Sequence, residues 1–367
     1  MALSEVKGLG AARFRWLVDR FGSASAAVCA FRRGEPGPEF GGDAKGAAAL
    51  RGRLRDVRPV SERRLRGLRA LGIEVVTYRG PGYPESLTHL HHPPPLLFLR
   101  GPGRLPPGRT VAVVGTRQAT EYGRRMARDL GRQLADQGCA VVSGMARGID
   151  AAAHRGALDA GGWTLGILGC GLNHEYPPFQ HRLYRRVAEE GLLVSEFAPD
   201  TPASAGLFPR RNRIIAALAQ AVVVVQAGRR SGASITVGHA LDLGRQVFAV
   251  PGPVGPEASE GVHRLLREGA GLATCAADVL RELGWDAGAG SEETADDPYP
   301  RGDPRRRVLE RLRAGPATAD SLTAVGGFST SEALAALARL EMEGRVSALA
   351  GGRYELGTTA RSEAGAS

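Results

Sequence analysis

VAVVGTRQATEYGRRMARDLGRQLADQGCAVVSGMARGID, residues 111–150, is the stretch that decides the fold. Val111 to Val114 is a short unbroken apolar run with three β-branched residues, the pattern of a strand buried on both faces of a parallel sheet. Gly115-Thr116-Arg117 ends it abruptly. Thr120 is placed to cap a helix whose Tyr122, Met126, Leu130 and Leu134 recur on one face, and Gly138 follows as a C-terminal stop. The next strand, Ala140 to Val142, delivers Ser143-Gly144-Met145-Ala146-Arg147-Gly148-Ile149-Asp150. Two strands thus reach one edge of a sheet, each followed by a glycine turn containing an arginine. Open α/β sheets bind ligands at that edge.

Working outward, apolar runs at 163–168, 192–197, 221–226 and 246–250 alternate with helical segments. This alternation predicts a doubly wound, Rossmann-like parallel sheet over residues 73–284, with right-handed crossovers. Residues 1–72 form a small N-terminal helical domain, in which Gly8-Leu9-Gly10 is either a helix-hairpin-helix turn presenting N–H groups to phosphate or a close-packing turn. Within it, residues 32–60 are rich in Gly, Pro and Arg and read as loop or insertion, and a basic helix runs from Ser61 to Leu71 before a strand at 73–78. His91-His92, ahead of Pro93-Pro94-Pro95, lack partners at metal-ligand spacing and read as a proline-stiffened connector. Residues 285–304 are acidic and rich in small residues, a linker composition. Beyond it, residues 305–357 predict a winged helix: a helix from Arg305, a short one capped by Thr318, a third with the Ser329/Glu332 capping box carrying Leu334, Leu337 and Leu340 inward, then a hairpin across Gly351-Gly352. Residues 358–367 read as a disordered tail.

The net charge of +10 is carried by arginine, since Lys7 and Lys45 are the only lysines. Guanidinium offers planar bidentate contacts to phosphate and a face that stacks on bases. Residues 1–108 hold 18 basic against 9 acidic side chains, residues 109–284 hold 20 against 16, and residues 285–367 hold 10 against 13. A polyanion is the simplest partner for the first two regions, the alternative being a base-composition bias toward arginine that carries no ligand information. Glu332, Glu341 and Glu343 against Arg339 make the third winged-helix helix a poor match for duplex phosphates, and favour a protein-contact role for that module. Cys29, Cys139, Cys170 and Cys275 are far apart, predicting buried thiols, with neither a zinc site nor a disulfide framework. Glu5 and Lys7 stand where a signal peptide needs an apolar core, and no apolar run approaches membrane-spanning length, so a cytoplasmic protein without a membrane partner is expected.

The strand ends are then collected at one edge. Arg117, Arg147, the Phe208-Pro209-Arg210-Arg211-Asn212-Arg213 run and Arg229-Arg230-Ser231-Gly232-Ala233-Ser234 supply seven arginines, expected to converge on one phosphate-binding crevice. No Walker-type run and no strict dinucleotide fingerprint occur, so no cofactor is called for. Between Gln226 and Leu241 there is no Asp or Glu to act as general base; Asp150 sits where a helix cap would, and Glu196 has arginines to pair with. Hence no catalytic residue and no enzymatic activity are predicted.

These motifs together resemble the DprA/Smf family of DNA-processing proteins. Val-Val-Gly-Thr-Arg at 113–117, Ser-Gly-Met-Ala-Arg-Gly-Ile-Asp at 143–150, Phe-Pro-Arg-Arg-Asn-Arg-Ile-Ile at 208–215, Arg-Ser-Gly-Ala-Ser-Ile-Thr at 230–236 and Val-Phe-Ala-Val-Pro-Gly at 247–252 carry the likeness. The resemblance implies a single-stranded DNA-binding protein of natural transformation, in competence and DNA recombination, which protects incoming strands and loads RecA onto them. It implies a homodimer near Gly261 to Leu266, through His263, Leu265 and Leu266. It further implies that Arg117, Ser143, Gly144, Arg147, Arg210, Arg211, Asn212, Arg213, Arg230, Gly232 and Ser234 form the DNA site. The chain departs from the family pattern in having Thr116 for Ser, and in lacking lysines after Tyr176-Pro177, where His181 or Arg182 would substitute. The rival class is a nucleotide-binding enzyme or sensor resembling lysine-decarboxylase-like phosphoribohydrolases, whose Gly-Gly-x-Gly-Thr-x-x-Glu loop has no glutamate here. A third reading, a transcription factor using the winged helix, meets the acidic face of that module.

Overall fold

A computed structural model of the chain describes residues 1–35, 44–102, 105, 108–229, 231–285, 303–312, 316–319, 321–322, 329–349 and 352–357. Arg230, the tail at 358–367 and nearly all of the linker at 285–304 lie outside the described residues. The chain divides into two compact units, Met1–Asp286 and Ala287–Ser367.

In the first unit, strand β3 is Thr110–Val114, fully buried as its β-branched run predicts. The Thr120 hydroxyl accepts from Gly123 N (3.2 Å) and caps α5, Glu121–Asp136, which leads to β4, Ala140–Ser143. The remaining elements follow in alternation: α6 Ile149–Asp159, β5 Thr164–Ile167, α7 His181–Glu190, β6 Leu192–Ser195, α8 Leu207–Leu218, β7 Ala221–Val224, α9 Ala233–Asp242, β8 Gln246–Ala249, α10 Glu257–Arg267, β9 Gly271–Leu272 and α11 Ala276–Glu282. Two earlier strands, β1 Ile73–Thr77 and β2 Leu96–Arg100, form an antiparallel hairpin. Among the described residues one sheet runs β1-β2-β6-β5-β4-β3-β7-β8-β9. From β6 to β9 all neighbours are parallel, and β2 closes the β6 edge antiparallel.

Strand alternation sends Val111 and Val113 to one face, against Leu130 and Leu134 of α5 and Ala153 of α6. Ala112 and Val114 go to the other, against Ile214 and Ile215 of α8 and Val237 of α9. Both faces are therefore covered, and the order reverses at β3: the chain steps from β3 to β6 on one side and returns to β7 on the other. The crevice at this reversal is where an open sheet leaves room for a ligand.

The N-terminal helices are α1 Ala11–Phe21, α2 Ala24–Arg32, α3 Ala44–Arg55 and α4 Glu62–Ala70. Phe14, Leu17, Phe31, Leu50 and Leu54 pack together with Tyr78, which follows β1. Three readings are corrected. Residues 44–55, expected as loop, are helical, because Leu50 and Leu54 bury one stripe. Residues 96–100, after the expected connector and given no element from sequence, are a strand paired with β6. Cys29 is exposed, whereas Cys139 and Cys170 are buried as expected.

In the second unit, α12 Pro304–Leu312 and α13 Thr330–Met342 pack through Val308, Leu309, Leu312, Leu337 and Leu340. The Ser329/Glu332 capping box is present, and Thr318 Oγ1 accepts from Ser321 N (3.3 Å). Leu334 points to solvent instead of inward; Ala333, Ala336, Leu337 and Leu340 form the buried stripe. The wing hairpin, β11 Val346–Leu349 and β12 Arg353–Leu356, gains a third strand, β10 Ala317–Thr318.

Candidate nucleic-acid interface

The site is assembled from turns that follow neighbouring strands. Buried Gln226, just past β7, takes hold of the β3 turn at two levels. Its backbone carbonyl accepts from Thr116 N (2.8 Å), while its side-chain Oε1 accepts from Thr120 N (3.0 Å) and its Nε2 donates to Thr120 Oγ1 (2.9 Å). From the other side comes Gly148, with φ +82°, in contact with the carbonyls of Thr116 and Arg117 where any side chain would stand. Ile149 N then donates to Thr116 O (3.3 Å). The loop bearing Arg117 is thereby fixed without a ligand. Its guanidinium lies 5.2 Å from the Phe208 ring centroid, and Phe208 stacks on Tyr176 at 4.9 Å and 33°.

The crevice encloses about 680 Å³, with Thr116, Arg117, Arg147, Asn212, Ser231 and Gly232 among its walls. A side recess of about 40 Å³ reaches Gly144, Pro177 and Arg211. Helices α8 and α9 both begin at this cavity; their N-caps, Gly206 and Gly232, have no side chain to offer, and at α9 the preceding Ser231 hydroxyl accepts from Ala233 N (3.3 Å). Two positive helix ends therefore face the same space, an arrangement suited to anions.

Arg117 and Arg147 are exposed and have no carboxylate partner among the described residues. Arg211, by contrast, is buried: it donates to Ile167 O and lies beside Asp150. Asp150 is equally committed, its Oδ2 accepting from Gly144 N (3.1 Å) and Ala146 N (3.3 Å). Burial holds its carboxyl above the ordinary carboxylate range, against the pull of Arg211 and those two N–H groups. Behind them His154, wholly buried, shares a 2.7 Å hydrogen bond with Thr164 Oγ1, and burial lowers its imidazole to about 3. Since the Thr164 hydroxyl proton goes to Val141 O (2.9 Å), the ring donates from Nδ1 and is neutral.

The expected site residues divide. Arg117, Gly144, Arg147, Arg211, Asn212 and Gly232 border the crevice or its recess, with Asn212 Nδ2 donating to Gly232 O (3.3 Å). Arg210 and Arg213 do not: both line a separate cavity on the other side of α8. There Arg213 pairs with buried Glu196 at 2.7 Å and Arg210 lies 5.5 Å from the Phe197 ring centroid. Ser143 is buried and donates to Val113 O (2.6 Å), so its hydroxyl is spent inside the sheet. Ser234 is half-buried on α9 and is not a wall of the crevice, and Arg230 lies outside the described residues. Of the expected dimer residues, Leu265 packs into the chain's own core, Leu266 is partly buried, and His263 Nε2 is 2.9 Å from Gly252 O. Sequence reasoning missed Gln118, Ser231, Glu257 and the Ala203-Ser204-Ala205 run as walls. The last had a legible signal, small residues ahead of a helix start. Among the described residues no cluster of three or more His, Cys, Asp or Glu is arranged for a metal, and no helix is long and apolar enough to cross a membrane.

An open parallel sheet with a crevice at its reversal point, in a chain that also carries a wing-bearing helical module, defines a Rossmann-like protein with a winged helix. Comparison with known families then narrows the class. The model described as DNA recombination-mediator protein A matches residues 74–284, and the DprA winged helix domain matches residues 292–352. The chain belongs to the DprA family. A putative DNA processing protein DprA of Mycobacterium tuberculosis is 44% identical over 262 residues, spanning 69% of this chain and 66% of that relative. DNA processing protein DprA of Bacillus subtilis is 37% identical over 238 residues, covering 65% and 80%. The crystal structure of DprA from Streptococcus pneumoniae superposes with a TM-score of 0.66 at 31% identity, over 77% of this chain and 95% of that one. DNA processing protein A of Helicobacter pylori, whose structure is described in terms of its single-stranded DNA binding mode, gives 0.53 at 29% identity, over 58% and 96%.

Proposed function

We propose that this protein binds single-stranded DNA in the cytoplasm, holding the backbone in the crevice between β3 and β7 without cutting it. The observation that carries the reading is the meeting, in one crevice, of two exposed guanidinium groups without a carboxylate partner among the described residues, Arg117 and Arg147, with the starts of α8 and α9. Phosphate is attracted by charge and by N–H groups, and needs no base identity. The Arg117–Phe208–Tyr176 stack offers a flat face beside it for a base, the second requirement of a sequence-indifferent strand binder. Of the two carboxylates in the crevice walls, Asp150 is engaged by backbone N–H groups and Glu257 is the exposed one.

Family membership extends the reading: the strand is DNA taken up in natural transformation, and the protein acts as a homodimer that hands it to RecA. The dimer contact is assigned to the region of α10 containing His263, Leu265 and Leu266. A gel shift with a labelled oligonucleotide, competed by unlabelled single strand, duplex and mononucleotide, tests the central claim. Single strand competes best if the reading is right; displacement by mononucleotide at equal molar amounts would replace it with a small-nucleotide site. Light scattering with and without RecA tests the assembly claims.

A further inference from the structure

The most basic part of the chain, residues 1–108, contributes nothing to the crevice walls. Two further cavities connect it to them. One, of about 790 Å³, lies between the start of α1 and the outer side of α8, and its walls include Pro209 and Ile235, which also line the crevice. The other, of about 480 Å³, shares Glu5 with the second cavity and is bordered by Lys7, Arg53, Arg58 and Arg64. The three spaces thus share walls in sequence, from the β3 turn to the N-terminal helices.

The two outer cavities carry a positive excess. Glu5 is held by two hydrogen bonds from Arg64 (2.6 and 2.9 Å), and Glu196 by Arg213 (2.7 Å), so the acids in their walls are paired; the crevice itself also has Asp150, held by backbone N–H groups, and the exposed Glu257. Arg210 is exposed over Phe197 and adds to the field of Arg213 on Glu196, while the exposed Lys7 and Arg58 have no carboxylate partner among the described residues. Helix α1 opens at the second cavity with Gly10 as its N-cap, again without a side-chain acceptor. A positive trough with an apolar ridge suits a flexible chain of phosphates.

We propose that a bound strand continues from the crevice over Pro209 and Ile235 into this trough, so that the N-terminal helices hold the nucleotides flanking those in the crevice. The inference rests on the strand-binding reading above. It assigns the Gly8-Leu9-Gly10 turn and its basic surroundings to backbone contact, and it makes affinity depend on strand length.

The test uses the full chain and its Lys7→Glu/Arg58→Glu variant, titrated with labelled dT30 and, by competition, dT6 at several salt concentrations; Arg117→Ala is run alongside. The variant is expected to bind dT30 about tenfold or more weakly, with a salt slope smaller by about 1.4 for two lost phosphate contacts, and to bind dT6 within about twofold of the parent. Unchanged dT30 binding by the variant, while Arg117→Ala weakens it, overturns the trough and leaves the crevice standing. An equal loss for dT6 and dT30 also overturns it, since the charges would then act as a general field. If Arg117→Ala leaves both oligonucleotides unaffected, the crevice reading itself fails.

Discussion

Arg117→Ala isolates the crevice from the fold that supports it. The side chain is exposed, without an ion-pair partner among the described residues, and lies over the Phe208 ring, so its loss should move stability by no more than about 0.5 kcal/mol. Binding should respond strongly. A hydrogen bond to a charged group contributes about 1.5–3 kcal/mol, which is roughly 10- to 150-fold in Kd. One lost phosphate contact also lowers the log–log salt slope by about 0.7, and Arg117→Ala/Arg147→Ala should lower it by about 1.4. Fluorescence anisotropy with labelled dT20 at 50–200 mM salt reads both quantities, with a urea melt as the check on folding. Arg117→Lys keeps the charge but loses the planar group over Phe208, so its slope should match the parent while its affinity falls part of the way. If the folded double variant retains parental affinity and slope, the phosphates are held elsewhere.

Other expectations concern the supports of the site. Arg213→Ala removes the hydrogen-bonded partner of the buried Glu196 carboxylate, leaving it only the field of Arg210, and should cost up to about 3–5 kcal/mol in urea unfolding, much of it recovered in Arg213→Ala/Glu196→Ala; a single variant as stable as the parent would contradict the burial argument. Gly148→Ala forces a side chain onto the Thr116 and Arg117 carbonyls at positive φ, and a loss of about 3 kcal/mol should appear as a Tm lower by roughly 6–12 °C, together with weaker strand binding. His154 has its pKa lowered to about 3 in the folded chain, so its contribution is complete above about pH 6.5 and is lost as pH falls, by up to about 1.4 kcal/mol per unit. Comparing urea midpoints at pH 7 and pH 5 should therefore show a steeper loss for the parent than for His154→Leu, and parallel slopes would refute the assignment.

The parallel sheet was legible because its strands are buried on both faces and so appear as unbroken Val-rich runs, 111–114 and 221–224 among them. Side-chain caps such as Thr120 and Ser329 were legible because capping chemistry is local. The strand Leu96–Arg100 was masked by the three prolines before it, although proline is tolerated ahead of an edge hairpin. The larger error concerned direction. Consecutive helical residues turn by about 100°, so Arg210 to Arg213 cannot all face one cavity. Arg210 and Arg213, three apart, share the outer side, while Arg211 and Asn212 face the crevice. On the last helix of the second unit the buried stripe centres on Ala333, Ala336, Leu337 and Leu340, and Leu334, about 100° on from Ala333, falls at its margin and is exposed. That Arg211 is a buried strut and Ser143 an internal donor depends on long-range packing, which no local pattern encodes.

The double hold of Gln226 on the β3 turn has a bearing on the order of assembly. Thr116 and Thr120 receive their geometry from a residue more than a hundred positions later in the chain. A polypeptide interrupted before β7 would contain the whole 111–150 stretch and still lack a properly shaped anion grip. The crevice is thus incomplete until the two halves of the sheet have met, however early its first strand and turn emerge.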